Sequence, residues 1–130
     1  MSGNYGDLSL NVYNTEIANS AFVTIAAAPG ETPVLTSLFV AGTNDWAFNG
    51  LKVQSLQDAT ISGHFLVDVS DFSPTFPTSD IVLENMTISS QDNVAGWSQA
   101  QWIANARNGF FVRGTAGTTA TKCEIGRAHV

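Results

Sequence analysis

The chain has 130 residues, 44% of them hydrophobic and 12% charged, with 11 acidic against 5 basic side chains and a formal net charge of −6. That length allows one domain at most, and the composition excludes a disordered tail while leaving enough apolar surface to bury a core without staples. The acidic balance, with a pI near 4.5, excludes a phosphate-binding surface, since nucleic-acid affinity rests on clustered Lys and Arg.

No run approaches the roughly 18 consecutive apolar residues of a membrane span, and the first residues lack the basic and apolar segments of a secretory leader. Cys123 is the single cysteine, which excludes an internal disulfide or a thiolate metal site and reads as a structural thiol.

Along the chain, alternating apolar residues predict strands at 8–12, 23–27, 37–41, 46–55, 65–69, 81–90 and 110–114. Residues 46–55 align with 81–90 without a gap, matching Trp46 with Ile81, Phe48 with Leu83, Leu51 with Met86 and Val53 with Ile88. The parity of the alternation slips at Gly50 and Asn85. A bend explains the slip, because Gly and Asn tolerate left-handed backbone geometry. Residues 110–114 read as a third copy with Gly114 at the bend, and residues 23–27 as a weaker first copy.

The strands at 8–12, 37–41 and 65–69 form a second family that alternates with the first. Residues 97–106 contain helix formers and two Trp, and they predict one short helix stopped by Asn108 and Gly109. The run 125–130 breaks the pattern and matches the translation of a sequencing adaptor, so the native domain is expected over 1–124 as a fragment of a longer protein. The pattern as a whole predicts an all-β fold, a partial right-handed parallel β-helix of three to four rungs with a short helix near 97–106.

On residues 22–35, followed by Trp46 to Val53, the chain resembles the pectin-lyase-like superfamily. It is nearest to polysaccharide lyases that act on alginate or chondroitin sulfate. The resemblance covers residues 3–124 and rests on rung-building motifs, which specify fold and not reaction. It implies a microbial or phage, secreted or extracellular parent that cleaves an acidic polysaccharide by β-elimination, with this segment forming its N-terminal rungs. The alternative is a non-catalytic adhesin or a trimeric tail-spike shaft. The resemblance also implies calcium, although the sequence carries no calcium-loop spacing and no metal ligands can be named.

The expected stacking places Asn49, Glu84 and Arg113 in one outward column. Arg113 would neutralise a uronate carboxylate and Glu84 would orient a sugar hydroxyl, whereas the plainer reading is a cross-strand ion pair. Lys52 is the candidate base, although a solvated lysine on a strand face reads as well. Phe72 and Phe76, in a loop with Pro74 and Pro77, could form an aromatic wall for sugar, and Trp97 could stack on a sugar ring. His64 reads as a turn residue. Asp58, Asp68, Asp71, Asp80 and Asp92 enrich the middle of the chain in carboxylates.

Overall fold

A computed structural model describes residues 3–11, 18–55, 65–71, 74–106 and 108–125. The strands are β1 (Asp7–Asn11), β2 (Val23–Ala26), β3 (Val34–Leu35), β4 (Ser37–Ala41), β5 (Asn44–Asn49), β6 (Lys52–Gln54), β7 (Phe65–Ser70), β8 (Ser79–Glu84), β9 (Thr87–Ser89), β10 (Asn108–Arg113), β11 (Thr119–Thr121) and β12 (Glu124–Ile125). One helix, α1 (Gln99–Asn105), lies between β9 and β10. The strands pair in parallel as three four-stranded sheets, β1-β4-β7-β10, β2-β5-β8-β11 and β3-β6-β9-β12, so each strand bonds to the one three places on.

Alternation along each strand supplies the core. Leu38 and Val40 of β4, Val67 and Val69 of β7, Phe48 of β5 and Leu83 of β8 belong to one buried cluster. Facing rows agree in chemistry: Leu8, Leu38, Val67 and Phe110 align across the first sheet, and Ile25, Phe48, Leu83 and Ala120 across the second. Each fully buried aliphatic or aromatic side chain contributes about 1.5–3 kcal/mol.

The expected bend exists. Gly50 (φ 71) and Asn85 (φ 53) are left-handed, as is Lys122 (φ 53) in the next repeat. The bend keeps its cross-strand bonds, Gly50 N–H donating to the Glu84 carbonyl at 3.0 Å and Asn85 N–H to that of Thr121 at 3.2 Å. The Asn85 side chain adds a bond to Asn49 Oδ1 at 2.9 Å.

Three expectations are corrected. The right-handed parallel β-helix is replaced by three parallel sheets that are not stacked as such a solenoid, with 51% of the described residues in strands and 7% in helix. A regular solenoid has repeats of similar content, whereas at the equivalent place Thr36 alone links β3 to β4 and residues 90–107 link β9 to β10. The third copy of the bend repeat is not 110–114, because β10 pairs with β7 and it is β11, at Thr119–Thr121, that pairs with β8.

The helix is shorter than 97–106. Ser98 caps it, its hydroxyl accepting from Gln101 N–H while the Gln101 side chain accepts from Ser98 N–H. Ala106 leaves it in an extended conformation, and Asn108 and Gly109 open β10 where a helix stop was expected. Among the described residues no helix is long and apolar enough to cross a membrane.

Candidate functional site

The expected catalytic residues are held on three different sheets. Lys52, in β6, pairs with Asp92 at 2.5 Å. Glu84 ends β8, and Lys122 Nζ lies 3.9 Å from its carboxylate. Arg113 ends β10 in the first sheet, so it does not join a column with Asn49 and Glu84. Asn49 does align with Glu84, as expected, but the next residue in that row is Thr121.

Among the expected binding residues, Phe72 lies outside the described residues, as do His64 and Asp58. Phe76 is half-buried in the link from β7 to β8. Trp97 packs edge-on against Trp102, with ring centroids 5.0 Å apart and planes at 71°. Cys123 is half-buried against the core, consistent with a structural thiol. Among the described residues no group of three or more His, Cys, Asp or Glu could hold a metal ion, so the calcium implied by the resemblance finds no matching donor set.

A different constellation forms on the outer face of the first sheet. Because Leu38, Val40, Val67 and Val69 belong to the core, their neighbours Phe39 and Asp68 point the other way. Register aligns Ser9, Phe39, Asp68 and Phe111 in one row across β1, β4, β7 and β10. Asp68 is therefore flanked on both sides by an aromatic side chain. Phe39 and Phe111 stand two strand spacings apart, roughly 10 Å at the backbone.

At the start of β7 both Leu66 and Val67 enter the core cluster, which interrupts the alternation. Phe65 stacks against Phe111, with ring centroids 4.3 Å apart and planes at 16°. The Arg113 guanidinium carbon lies 5.7 Å from the centroid of the Phe111 ring. Quadrupole attraction between cation and ring holds an exposed guanidinium at such a place. Phe65, Phe111 and Arg113 thus form a layered ridge along one side of Asp68.

The chemistry of this row centres on Asp68. Its Oδ1 is buried and has no hydrogen-bond partner among the described residues. Buried polar atoms in native proteins nearly always have a partner, so an exception calls for an explanation. Aromatic walls supply none, since neither Phe39 nor Phe111 carries a donor. The row therefore combines a buried acceptor oxygen without a donor among the described residues, aromatic neighbours on both sides, and Arg113 beside the Phe111 ring.

Sequence reasoning singled out Arg113 but missed Phe39, Phe65 and Phe111, and counted Asp68 only as one carboxylate among several. The signal that would have found them is the pairing of residues 37–41, 65–70 and 108–113 as one family. No family model, no curated protein and no solved structure matches the chain.

Proposed function

We propose that the protein binds a polysaccharide on the outer face of the β1-β4-β7-β10 sheet, in the slot between Phe39 and Phe111. The observation that carries this reading is Asp68 Oδ1, which lacks a hydrogen-bond donor among the described residues, on a strand flanked by Phe39 and Phe111. A sugar presents both complements at once. Its hydroxyls donate to the carboxylate, and its C–H faces pack on the electron-rich faces or edges of phenyl rings. Arg113 adds donors for a ring, hydroxyl or carboxylate oxygen of the ligand.

The proposal is binding without bond cleavage, the adhesin-type alternative of the sequence reading. A β-elimination site needs a base and a charge-neutralising group on one substrate atom's two sides, and Lys52, Glu84 and Arg113 lie on three separate sheets. Asp68 and the net charge of −6 favour a neutral polymer over a polyanion, with Arg113 as the one described cation beside the slot.

Affinity electrophoresis through gels containing a neutral glucan, a mannan or a polyuronate tests this. At least one polymer should retard the protein, and Phe111→Ala and Asp68→Asn should each reduce that retardation at least tenfold in apparent affinity. Migration unchanged in every gel, or retardation that both variants keep, rules the proposal out.

A further inference from the structure

The chain contains two Asn-Gly pairs, 49–50 and 108–109. Such a pair is prone to react with itself. The backbone nitrogen of the glycine can attack the side-chain carbonyl carbon of the asparagine, because no Cβ stands in the way and the glycine backbone turns freely. Whether the ring closes depends on how the fold holds the two groups, and at 49–50 it holds both.

Asn49 ends β5 between Ala26 of β2 and Glu84 of β8. The peptide unit that joins it to Gly50 is bonded on both sides: its carbonyl accepts from Ala27 N–H at 3.0 Å, and its N–H donates to the Glu84 carbonyl at 3.0 Å. The side-chain carbonyl of Asn49 accepts from the Asn85 amide at 2.9 Å. Nucleophile and electrophile are thus tied to different neighbours. Bringing the Gly50 nitrogen onto Asn49 Cγ turns the peptide plane and breaks its bonds to the flanking strands, so ring closure waits for local opening of the bend.

We propose that Asn49 is a latent deamidation site, kept intact by the closed bend and converted when the bend opens. The Gly50 nitrogen gives its proton to solvent and bonds to Asn49 Cγ, and the side-chain nitrogen takes up a proton and leaves as ammonia. Water then opens the five-membered imide at either carbonyl, leaving aspartate or isoaspartate at position 49. Loss of ammonia to solvent makes the conversion one-way, and its products oppose reclosure. A carboxylate at 49 stands in one row with Glu84, and like charges directly opposite on paired strands are destabilising. Isoaspartate lengthens the main chain at the point where two cross-strand bonds must form. Opening of the bend is thereby recorded as a permanent gain of negative charge. The site lies on the second sheet and is independent of carbohydrate binding on the first.

Asn85 has φ 53, so Asn85→Gly removes the side-chain bond to Asn49 while keeping a residue that accepts left-handed backbone. Peptide mapping by mass spectrometry, which separates 49–50 from 108–109, follows conversion over time in native buffer and in urea above the unfolding transition. Asn49 of wild type should convert at least about tenfold more slowly folded than unfolded, and Asn85→Gly should speed conversion of the folded chain but not of the unfolded one. Chains converted at 49 alone, isolated by anion exchange, should unfold at lower urea than unconverted chains. Equal rates folded and unfolded, no conversion in urea, a folded Asn85→Gly rate equal to that of wild type, or converted chains as stable as unconverted ones would each overturn the proposal.

Discussion

Val69 and Val112 are the same residue type in the same row, on adjacent paired strands, yet Val69 is fully buried while Val112 is 42% exposed. The same contrast separates Phe48 of β5, fully buried, from its row partners at the edges, half-buried Ile25 and exposed Ala120. The strands β3 to β9 and the bends between them hold the buried cluster, and β1, β2 and β10 contribute only partly buried residues to it. Row position, more than residue type, sets what a side chain contributes. Each inner position is covered from both sides by its row neighbours, and an edge position from one side only.

This contrast is most sharply tested by deleting core volume at its centre. Phe48→Ala should cost about 3–5 kcal/mol, because the cavity opens between covered rows, whereas Ile25→Ala in the same row should cost less than half as much. Urea unfolding midpoints, with slopes compared to confirm a two-state transition, measure both.

The valine pair gives a smaller and cleaner difference. Val69→Ala should cost about 2 kcal/mol and Val112→Ala less than about 0.5, on the transfer value per methylene plus a cavity only at the buried site. Equal losses would mean that β10 is covered as well as β7.

Backbone geometry gives the next effect. Gly114 has φ 71, and a Cβ there would stand 2.5 Å from Asp71 Oδ2. Asp71 in turn holds Thr78 N–H at 2.7 Å. Gly114→Ala should cost about 1–3 kcal/mol from the left-handed backbone and the displaced carboxylate. In thermal unfolding Gly114→Ala should cost less in an Asp71→Ala background than in wild type, since the carboxylate clash is gone there, while the lost Thr78 bond is common to both members of that comparison.

The smallest effect belongs to charge. Asp92 is 69% exposed where it meets Lys52, so Asp92→Asn should change stability by less than about 1 kcal/mol, and by less still in high salt. A larger loss would place Lys52 among the determinants of the central strands.

The same contrast explains what the sequence revealed. Residues 46–55 and 81–90 were aligned in their observed register because both lie in the centre, where inward positions must be apolar and the bend must be Gly or Asn. The repeat in β11 was invisible because an edge strand has no such requirement: Thr119, Ala120 and Thr121 are all exposed. The apolar run of β10 followed by Gly114 then took its place in the alignment.

That substitution also hid the slot. Placing 110–114 beside 81–90 keeps Phe111 away from Asp68, whereas the grouping of 37–41 with 65–69 agrees with the pairing of β4 and β7. The stacking of Phe65 on Phe111 depends further on Leu66 and Val67 both turning inward, a break in alternation that no pattern of period two foretells. The same placement sets Arg113 beside Glu84, whereas Arg113 pairs with Ser70 and Glu84 with Thr121.

Amide chemical shifts recorded while the isotope-labelled protein is titrated with short glucan, mannan and uronate oligosaccharides test the central claim most directly. The account predicts that one series perturbs the amides of Phe39, Asp68, Phe111 and Arg113 while those of β6 and β9, in the third sheet, stay in place. No perturbation with any series, or perturbation centred on β6 and β9, would contradict it.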